Sequence, residues 1–133
     1  MMVRGVGVAA AIAVAALYGL IGTGALSVGP ATTDVATDLF AFGMLMGAIY
    51  LATAAALWWW HGRIGLALLA GFQLIPLLGY VAAAGLREPP FELWGVLIKV
   101  GQVAVLVAAT ALAFHAGRRT LPATRPSPKE GIA

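Results

Sequence analysis

The sequence predicts an all-α integral membrane protein, a bundle of four transmembrane helices. Hydrophobic residues make up 62% of the 133 positions and charged residues only 10%. The apolar residues also form four runs of membrane-spanning length, since a bilayer core about 30 Å thick requires roughly 20 apolar helical residues. Strands of a membrane barrel are about half that length and alternate polar with apolar residues, which these runs do not.

The four predicted helices cover approximately residues 6–26, 39–60, 64–84 and 93–114. Each run is apolar on all sides, without the polar face of an amphipathic helix in a soluble protein. Each also ends at Gly, Pro or charged residues, which are helix stop signals. We therefore predict one transmembrane domain over residues 1–119, followed by a Pro-rich, disordered cytoplasmic tail over residues 120–133.

The first run has an alternative interpretation as a secretory signal. Arg4 precedes a long apolar stretch that reaches Ala25-Leu26-Ser27, which resembles a cleavage site with small residues. The stretch exceeds the usual signal core of about 7–15 residues, and its glycines suit helix packing in lipid. Retention as a helix is the preferred interpretation, and a mature N-terminus near Val28 would contradict it.

The distribution of Lys and Arg predicts that both ends of the chain are cytoplasmic. Short cytoplasmic loops carry an excess of these residues. One predicted side holds Arg4, Arg63, Arg118, Arg119, Arg125 and Lys129. The other side holds Arg87 and the acidic Asp34, Asp38, Glu88 and Glu92. The prediction is therefore an N-in, C-in protein that crosses the cell (inner) membrane several times.

The composition also argues against several kinds of function. The chain has no cysteine, which removes disulfides and thiolate metal sites. Its net charge of +3 comes from residues that the topology rule explains, so we expect no nucleic-acid partner. No Ser-His-Asp order, zinc signature or phosphate loop is present, so we expect no catalytic residues and no cofactor. His61 and His115 close two helices at one depth, and solvated interfacial histidines are favoured there over a metal or haem site.

Lys99 is the most informative polar residue, because it lies about two turns inside the outer end of the fourth helix. A charge at the centre of a membrane costs at least about 2.5 kcal/mol on insertion scales. Glu92 and Gln102 share its helix face, and Asp38, at the outer start of the second helix, can reach the same layer from a neighbouring helix. One prediction is a polar site that opens outward and binds a headgroup or relays a proton. The other is a purely structural role for Lys99. In that role, Lys99 extends to the interface or pairs with one of the two acids.

Gln73 and Pro76 on the third helix form a second polar feature. Proline removes one backbone hydrogen bond and frees the carbonyl four residues earlier, at Phe72, beside the amide of Gln73. A cavity lined by Gln73, Lys99 and Gln102 is one interpretation. A simple structural kink is the other.

Small residues spaced four apart predict close helix packing. The second helix contains Gly43-Met44-Leu45-Met46-Gly47, and the third has Ala67 with Gly71 and Gly79 with Ala83. In lipid such pairs let helix backbones approach closely. Packing inside one bundle is favoured, and a seam between copies in a homo-oligomer remains the alternative.

The layout resembles that of the DoxX-like small bacterial membrane proteins. The likeness covers roughly residues 6–116 and includes the acidic outer loop that leads into Phe40-Ala41-Phe42-Gly43, followed by Gly47, and the Pro-containing third loop. The Arg-plus-Gly/Phe pattern of DoxX proper is absent from the first helix. The resemblance implies a membrane module often found with partner proteins, and it transfers no catalytic residues.

The favoured function is therefore a non-enzymatic membrane module, a subunit or lipid-binding helper that packs in the lipid bilayer against itself or a larger membrane partner. The competing hypothesis is an enzyme or transporter that acts on a hydrophobic or amphipathic small molecule. It would use a polar cavity around Lys99, with Asp38, Gln73, Glu92 and Gln102 as the other candidate ligand-binding residues.

Overall fold

The computed structural model describes residues 1–26, 33–84 and 93–118, with the side chains of 33–38 and 82–84 left undescribed. The described residues form four helices and no strand. The helices are α1 (Met2–Gly22), α2 (Thr33–Trp59), α3 (Arg63–Ala84) and α4 (Leu93–Arg118). Each is long and apolar enough to cross a membrane. The predicted all-α class with four helices of spanning length is thus confirmed, while the predicted tail over 120–133 lies outside the described residues.

The first helix lies four residues earlier than its predicted range of 6–26. It ends at Gly22, where Gly24 adopts a positive φ of 76°. The hydroxyl of Thr23 donates to the carbonyls of Gly19 and Leu20, at 3.0 and 3.2 Å. These bonds satisfy acceptors that the end of a helix leaves open, so the helix stops four residues before its predicted end.

Helix α1 is the centre of the bundle. It packs against both α2 and α4, while α3 packs against α4. In the apolar part of α1, 39% of the residues are buried, against 22% in α3. Within the described residues, the backbones of α2 and α3 have fewer close approaches than those of α1 and α2, α1 and α4, or α3 and α4. Helix α3 is therefore the peripheral member, held mainly by α4.

The glycine pair of α2 packs inside the bundle, against α1. A Cβ atom placed on Gly43 would lie 2.6 Å from both the Cα of Gly22 and the carbonyl oxygen of Tyr18. A Cβ atom on Gly47 would lie 3.3 Å from the carbonyl oxygen of Ala15. The two backbones can touch only because the side chains are missing. The sequence motif is therefore used between two helices of one chain.

A similar contact joins α1 to α4 on the other side of α1. A Cβ atom on Gly7 would lie 2.7 Å from the Cβ of Ala108. The side chain of Val14 fills the space beside Gly101, where a Cβ atom would collide with it. The small residues of α3 behave differently, since a Cβ atom on Gly71 or Gly79 would meet nothing within 4 Å.

Arg4 ties the start of α1 to the end of α2. Its Nη1 donates to the carbonyl oxygens of Leu57 and Trp58, each at 2.7 Å. Both carbonyls belong to the last turn of α2, where intrahelical donors run out and the helix dipole is negative. The arginine therefore caps a neighbouring helix, in addition to its predicted part in membrane topology.

Gly43→Ala should destabilise the protein by about 1–3 kcal/mol, because the added methyl group forces α1 and α2 apart. Gly71→Ala is the matched control, since it adds the same methyl group to open space and improves helix propensity by up to about 1 kcal/mol. Thermal unfolding of both variants in the same detergent measures the difference. Equal stability of the two variants would contradict the close contact at Gly43.

Candidate ligand site in the bundle

The ammonium group of Lys99 is turned into the bundle. Its Nζ donates to the carbonyl oxygen of Pro76 at 3.0 Å and to Oε1 of Gln102 at 2.7 Å. Pro76 lies eight positions before the end of α3, and Lys99 lies six positions after the start of α4. Both acceptors, on Pro76 and Gln102, therefore lie at least as deep in the bundle as Lys99, counted from the end of α3 and the start of α4. The ammonium is held between α3 and α4 and does not extend along α4 to its end.

Gln102 carries the polar network from Lys99 to α1. The side chain is fully buried, with 0% of its surface exposed. Its Nε2 donates to the hydroxyl of Tyr18 at 3.2 Å. The ammonium can only donate hydrogen bonds, so Oε1 must face Lys99 and the amide nitrogen must face Tyr18. The orientation of the Gln102 amide is therefore determined by its two partners.

A second pair of buried polar groups links α2 and α3. The hydroxyl of Tyr50 donates to Oε1 of Gln73 at 2.7 Å, and both side chains are 0% exposed. The rings of Tyr18 and Tyr50 stack with centroids 5.9 Å apart, which places this pair beside the Lys99 network. The Nε2 atom of Gln73 is buried and has no hydrogen-bond partner among the residues that the structure describes. An unsatisfied buried donor costs about 1–3 kcal/mol.

Tyr80 covers the ammonium from α3. The Nζ atom of Lys99 lies 4.8 Å from the centroid of the Tyr80 ring, within the range of a cation–π interaction. Gly95 on α4 makes room for this ring, since a Cβ atom there would lie 2.8 Å from the Tyr80 hydroxyl. The aromatic ring and the two oxygen acceptors therefore stabilise the charge in place of water.

No carboxylate side chain is among those that the structure describes. The five acids of the chain are Asp34, Asp38, Glu88, Glu92 and Glu130. Glu92 lies outside the described residues, and Asp38 belongs to α2 but its side chain is not described. The predicted ion pair of Lys99 with Glu92 or Asp38 therefore stays a prediction. Every described partner of Lys99 is neutral.

Pro76 contributes to the site in a way that the sequence did not indicate. The sequence predicts a free carbonyl at Phe72, which loses its backbone donor at the proline, and names no partner for it. In the structure, α3 continues through Pro76, and Lys99 uses the carbonyl of Pro76 itself. Gln73 lies three residues earlier, so its amide and this carbonyl are about one helical turn apart.

The two histidines are exposed, and each lies close to a backbone carbonyl oxygen a few residues earlier in the chain. The Nδ1 atoms of His61 and His115 lie 2.7 Å from the carbonyl oxygens of Trp59 and Ala111, respectively. Across residues 1–26, 33–84 and 93–118, no group of three potential metal-binding side chains is found. The histidines therefore take no part in the network around Lys99.

The sequence predicts that Lys99, Gln102 and Gln73 line one cavity, but it did not identify the three tyrosines that also contribute to the site. Tyr18, Tyr50 and Tyr80 contribute two hydroxyls and a ring to the site. The signal was available, because a tyrosine inside an apolar run must find a partner for its hydroxyl when it is buried. Nothing in helical spacing, however, indicates which helix supplies that partner.

Taken together, the site has more donors than acceptors. Lys99 donates two of its three N–H groups to oxygen acceptors, and Gln73 donates neither of its amide N–H groups to a residue that the structure describes. The hydroxyl of Tyr18 accepts from Gln102, and its own proton has no acceptor in the described part of the chain. Such an arrangement is suited to bind an oxygen-rich or anionic group.

Comparisons of the sequence with protein-family models and curated proteins, and of the fold with solved structures, found no match.

Lys99→Met should destabilise the protein by about 1–3 kcal/mol, because Oε1 of Gln102 and the carbonyl of Pro76 lose their donor. Gln102→Leu should act on the same network, so the two changes should be non-additive by about 0.5–3 kcal/mol. A double-mutant cycle measured by thermal unfolding tests this. Lys99→Met combined with Gly71→Ala is the control pair and should be additive. Additivity in both pairs would show that Lys99 and Gln102 do not interact.

Proposed function

We propose that this chain is a non-enzymatic, multi-pass module of the cell (inner) membrane that binds the headgroup of an amphipathic lipid at Lys99. The observation that carries the proposal is the surplus of donors around a cation with neutral partners. Lys99, Tyr18 and Gln73 each retain a donor without an acceptor among the described residues. A phosphate or carboxylate group supplies both the missing acceptors and the missing negative charge.

The surroundings of the site favour a ligand with an apolar tail. The outer surface of the helices consists of large apolar side chains, such as Leu74 and Ile75 on α3. Helices α2 and α3 also have fewer close backbone approaches than the other neighbouring pairs, which leaves the Tyr50–Gln73 bond to bridge them. A headgroup that enters between these helices keeps its tail in the bilayer, so little apolar surface is exposed to water.

The module also has surfaces that suit association with another membrane protein or a second copy. Gly71 and Gly79 present open backbone on α3, where another helix can approach closely. The resemblance to the DoxX-like group supports the same proposal, because such modules often occur with partner proteins. The glycine pair of α2 is already used against α1 and is not available for this purpose.

An enzyme or transporter acting on a hydrophobic small molecule is the competing proposal. One observation favours it. Polar groups extend from Lys99 through Gln102 to Tyr18, and the Tyr18 ring stacks on Tyr50, the hydrogen-bond partner of Gln73. A path of this kind is suited to movement of a polar group or a proton. Chemical change of a bound amphiphile, or its transfer between leaflets by the reconstituted protein, would favour this proposal over the binding module.

Both chain ends should lie in the cytoplasm, as the excess of Lys and Arg at their end of the bundle indicates. An alkaline phosphatase fused after Arg118 should therefore be inactive, while the same enzyme inserted into the connection at residues 85–92 should be active. A fluorescent protein that folds only in the cytoplasm should give the opposite result at the two positions. Phosphatase activity at the end of α4 would contradict the proposed orientation.

An anionic phospholipid should stabilise the protein more than a zwitterionic one, and Lys99→Met should reduce the difference. At a free lipid concentration of about 100 times Kd, specific binding contributes about 2.7 kcal/mol to the free energy of unfolding. The measurement is the shift in Tm of detergent-solubilised protein on adding phosphatidylglycerol or phosphatidylcholine with the same acyl chains. The shift is compared within each variant, so a change in basal stability does not affect the result.

Arg118→Gln is the matched control for this experiment, because it removes a cation from an exposed position at the far end of α4. The preference for the anionic lipid should survive in this variant. Equal shifts with the two lipids in the unchanged protein would contradict the proposal. The same is true of a preference that Lys99→Met leaves intact and Arg118→Gln removes.

A further inference from the structure

A groove lies between α3 and α4 at the opposite end of these helices from Lys99. Its volume is about 240 Å³. The lining residues are Arg63, Ala67 and Ala70 from α3 and Thr110, Ala113 and Phe114 from α4. Three alanines leave the space between the helices unfilled, while Phe114 bounds it on one side. The groove is therefore an apolar channel with one cationic residue, Arg63, at the first position of α3.

Arg63 lies at the end of this groove, next to Gly117 of α4. A Cβ atom on Gly117 would lie 3.1 Å from both Cδ and Nε of Arg63. The arginine side chain thus passes close to the backbone of α4 at Gly117. The exposed arginine side chain therefore lies beside the groove and against the backbone of α4.

The polar groups of the groove have unused hydrogen-bonding capacity. The guanidinium of Arg63 makes no hydrogen bond or ion pair with the residues that the structure describes, and neither does the hydroxyl of Thr110. A guanidinium presents its donors in a planar fork that matches the oxygens of a phosphate group. The combination of a phosphate-binding group and an apolar channel at the end of a membrane-length helix pair corresponds to the two parts of a phospholipid.

We propose that this groove binds an anionic phospholipid from the leaflet on the side of the two chain ends. The phosphate contacts Arg63, and the upper part of one acyl chain lies along the three alanines. Basic sites between helices at this depth are suited to such headgroups. The site is separate from Lys99, and the inference does not rest on the function proposed for Lys99. Charge complementarity selects the lipid over a second copy of the chain, whose described ends at this side are also cationic.

The test uses native mass spectrometry of the full chain in the Lys99→Met background, with phosphatidylglycerol and phosphatidylcholine of identical acyl chains. The anionic lipid should be retained preferentially. Arg63→Gln should weaken its retention about fivefold, the effect of one interfacial cation worth about 1 kcal/mol. Arg63→Lys should recover part of the preference, because it restores the charge without the planar fork.

A second variant tests the acyl-chain part of the groove while leaving the charge intact. Ala67→Phe fills the channel and should also reduce lipid retention. Leu68→Phe is its control, because Leu68 is exposed on the next position of α3 and does not line the groove. Helix content by circular dichroism establishes that each variant is folded.

Three outcomes would overturn the inference. One is retention of the two lipids to the same extent, and another is an equal loss with Ala67→Phe and Leu68→Phe. The third is retention of glycerol phosphate, which has no acyl chains, as strong as that of the anionic lipid, which would show that Arg63 binds a free anion and that the apolar part of the groove contributes nothing. A failure of the Lys99 proposal is recognised separately, since it concerns the difference between the unchanged protein and Lys99→Met.

Discussion

The structure depends on one constraint, which is that a cation inside an apolar bundle must find oxygen acceptors or remain in water. Lys99 finds them on its own helix, at Gln102, and on α3, at the carbonyl of Pro76. Gln102 must then place its amide nitrogen elsewhere, which brings the hydroxyl of Tyr18 from α1 into the same network. A single charge thereby determines the orientation of polar groups on three helices. The packing of apolar side chains has no comparable directional effect.

Close backbone contacts at glycine residues fix the positions of the helices that carry these polar groups. Helix α1 touches α2 at Gly22 and Gly43, and it touches α4 at Gly7 and Gly101. Close backbone contacts of this kind leave few alternative packings, because any sideways shift brings backbone atoms into collision. Tyr18 lies within this part of α1, so its hydroxyl has a fixed position relative to Gln102. Main-chain packing and side-chain hydrogen bonding therefore support one another at the site.

The number and type of the helices could be predicted from the sequence, because length and continuous hydrophobicity determine them directly. The partners of each helix could not. The motif at Gly43 and Gly47 predicts a close contact but does not say whether it lies within one chain or between copies, since both contacts use the same small residues. The end of α1 was also placed too late, because Thr23 and Gly24 terminate the helix through local bonds that a hydropathy pattern does not detect.

At the candidate site, too, some contacts could be predicted from the sequence and others could not. Lys99 and Gln102 could be placed together because residues three apart share one face of a helix. The bonds to Pro76 and Tyr18 join residues 23 and 84 positions apart in the chain, and they depend on how the helices are arranged. Spacing along a single helix contains no information on that arrangement. The sequence therefore located the charge and one neighbour, whereas the remaining contacts required the fold.

The peripheral position of α3 has a mechanical consequence. Helices α1, α2 and α4 are joined through contacts that use glycine on both sides of α1, and they form a frame with little freedom to move. Helix α3 is joined to this frame through its packing on α4, the Lys99 bond and the bond between Tyr50 and Gln73. Hydrogen bonds can exchange one acceptor for another at small cost, while interlocked backbones cannot separate without loss of packing. Displacement of α3 against a stationary frame is thus the softest motion of the bundle, and it exposes the buried amide of Gln73.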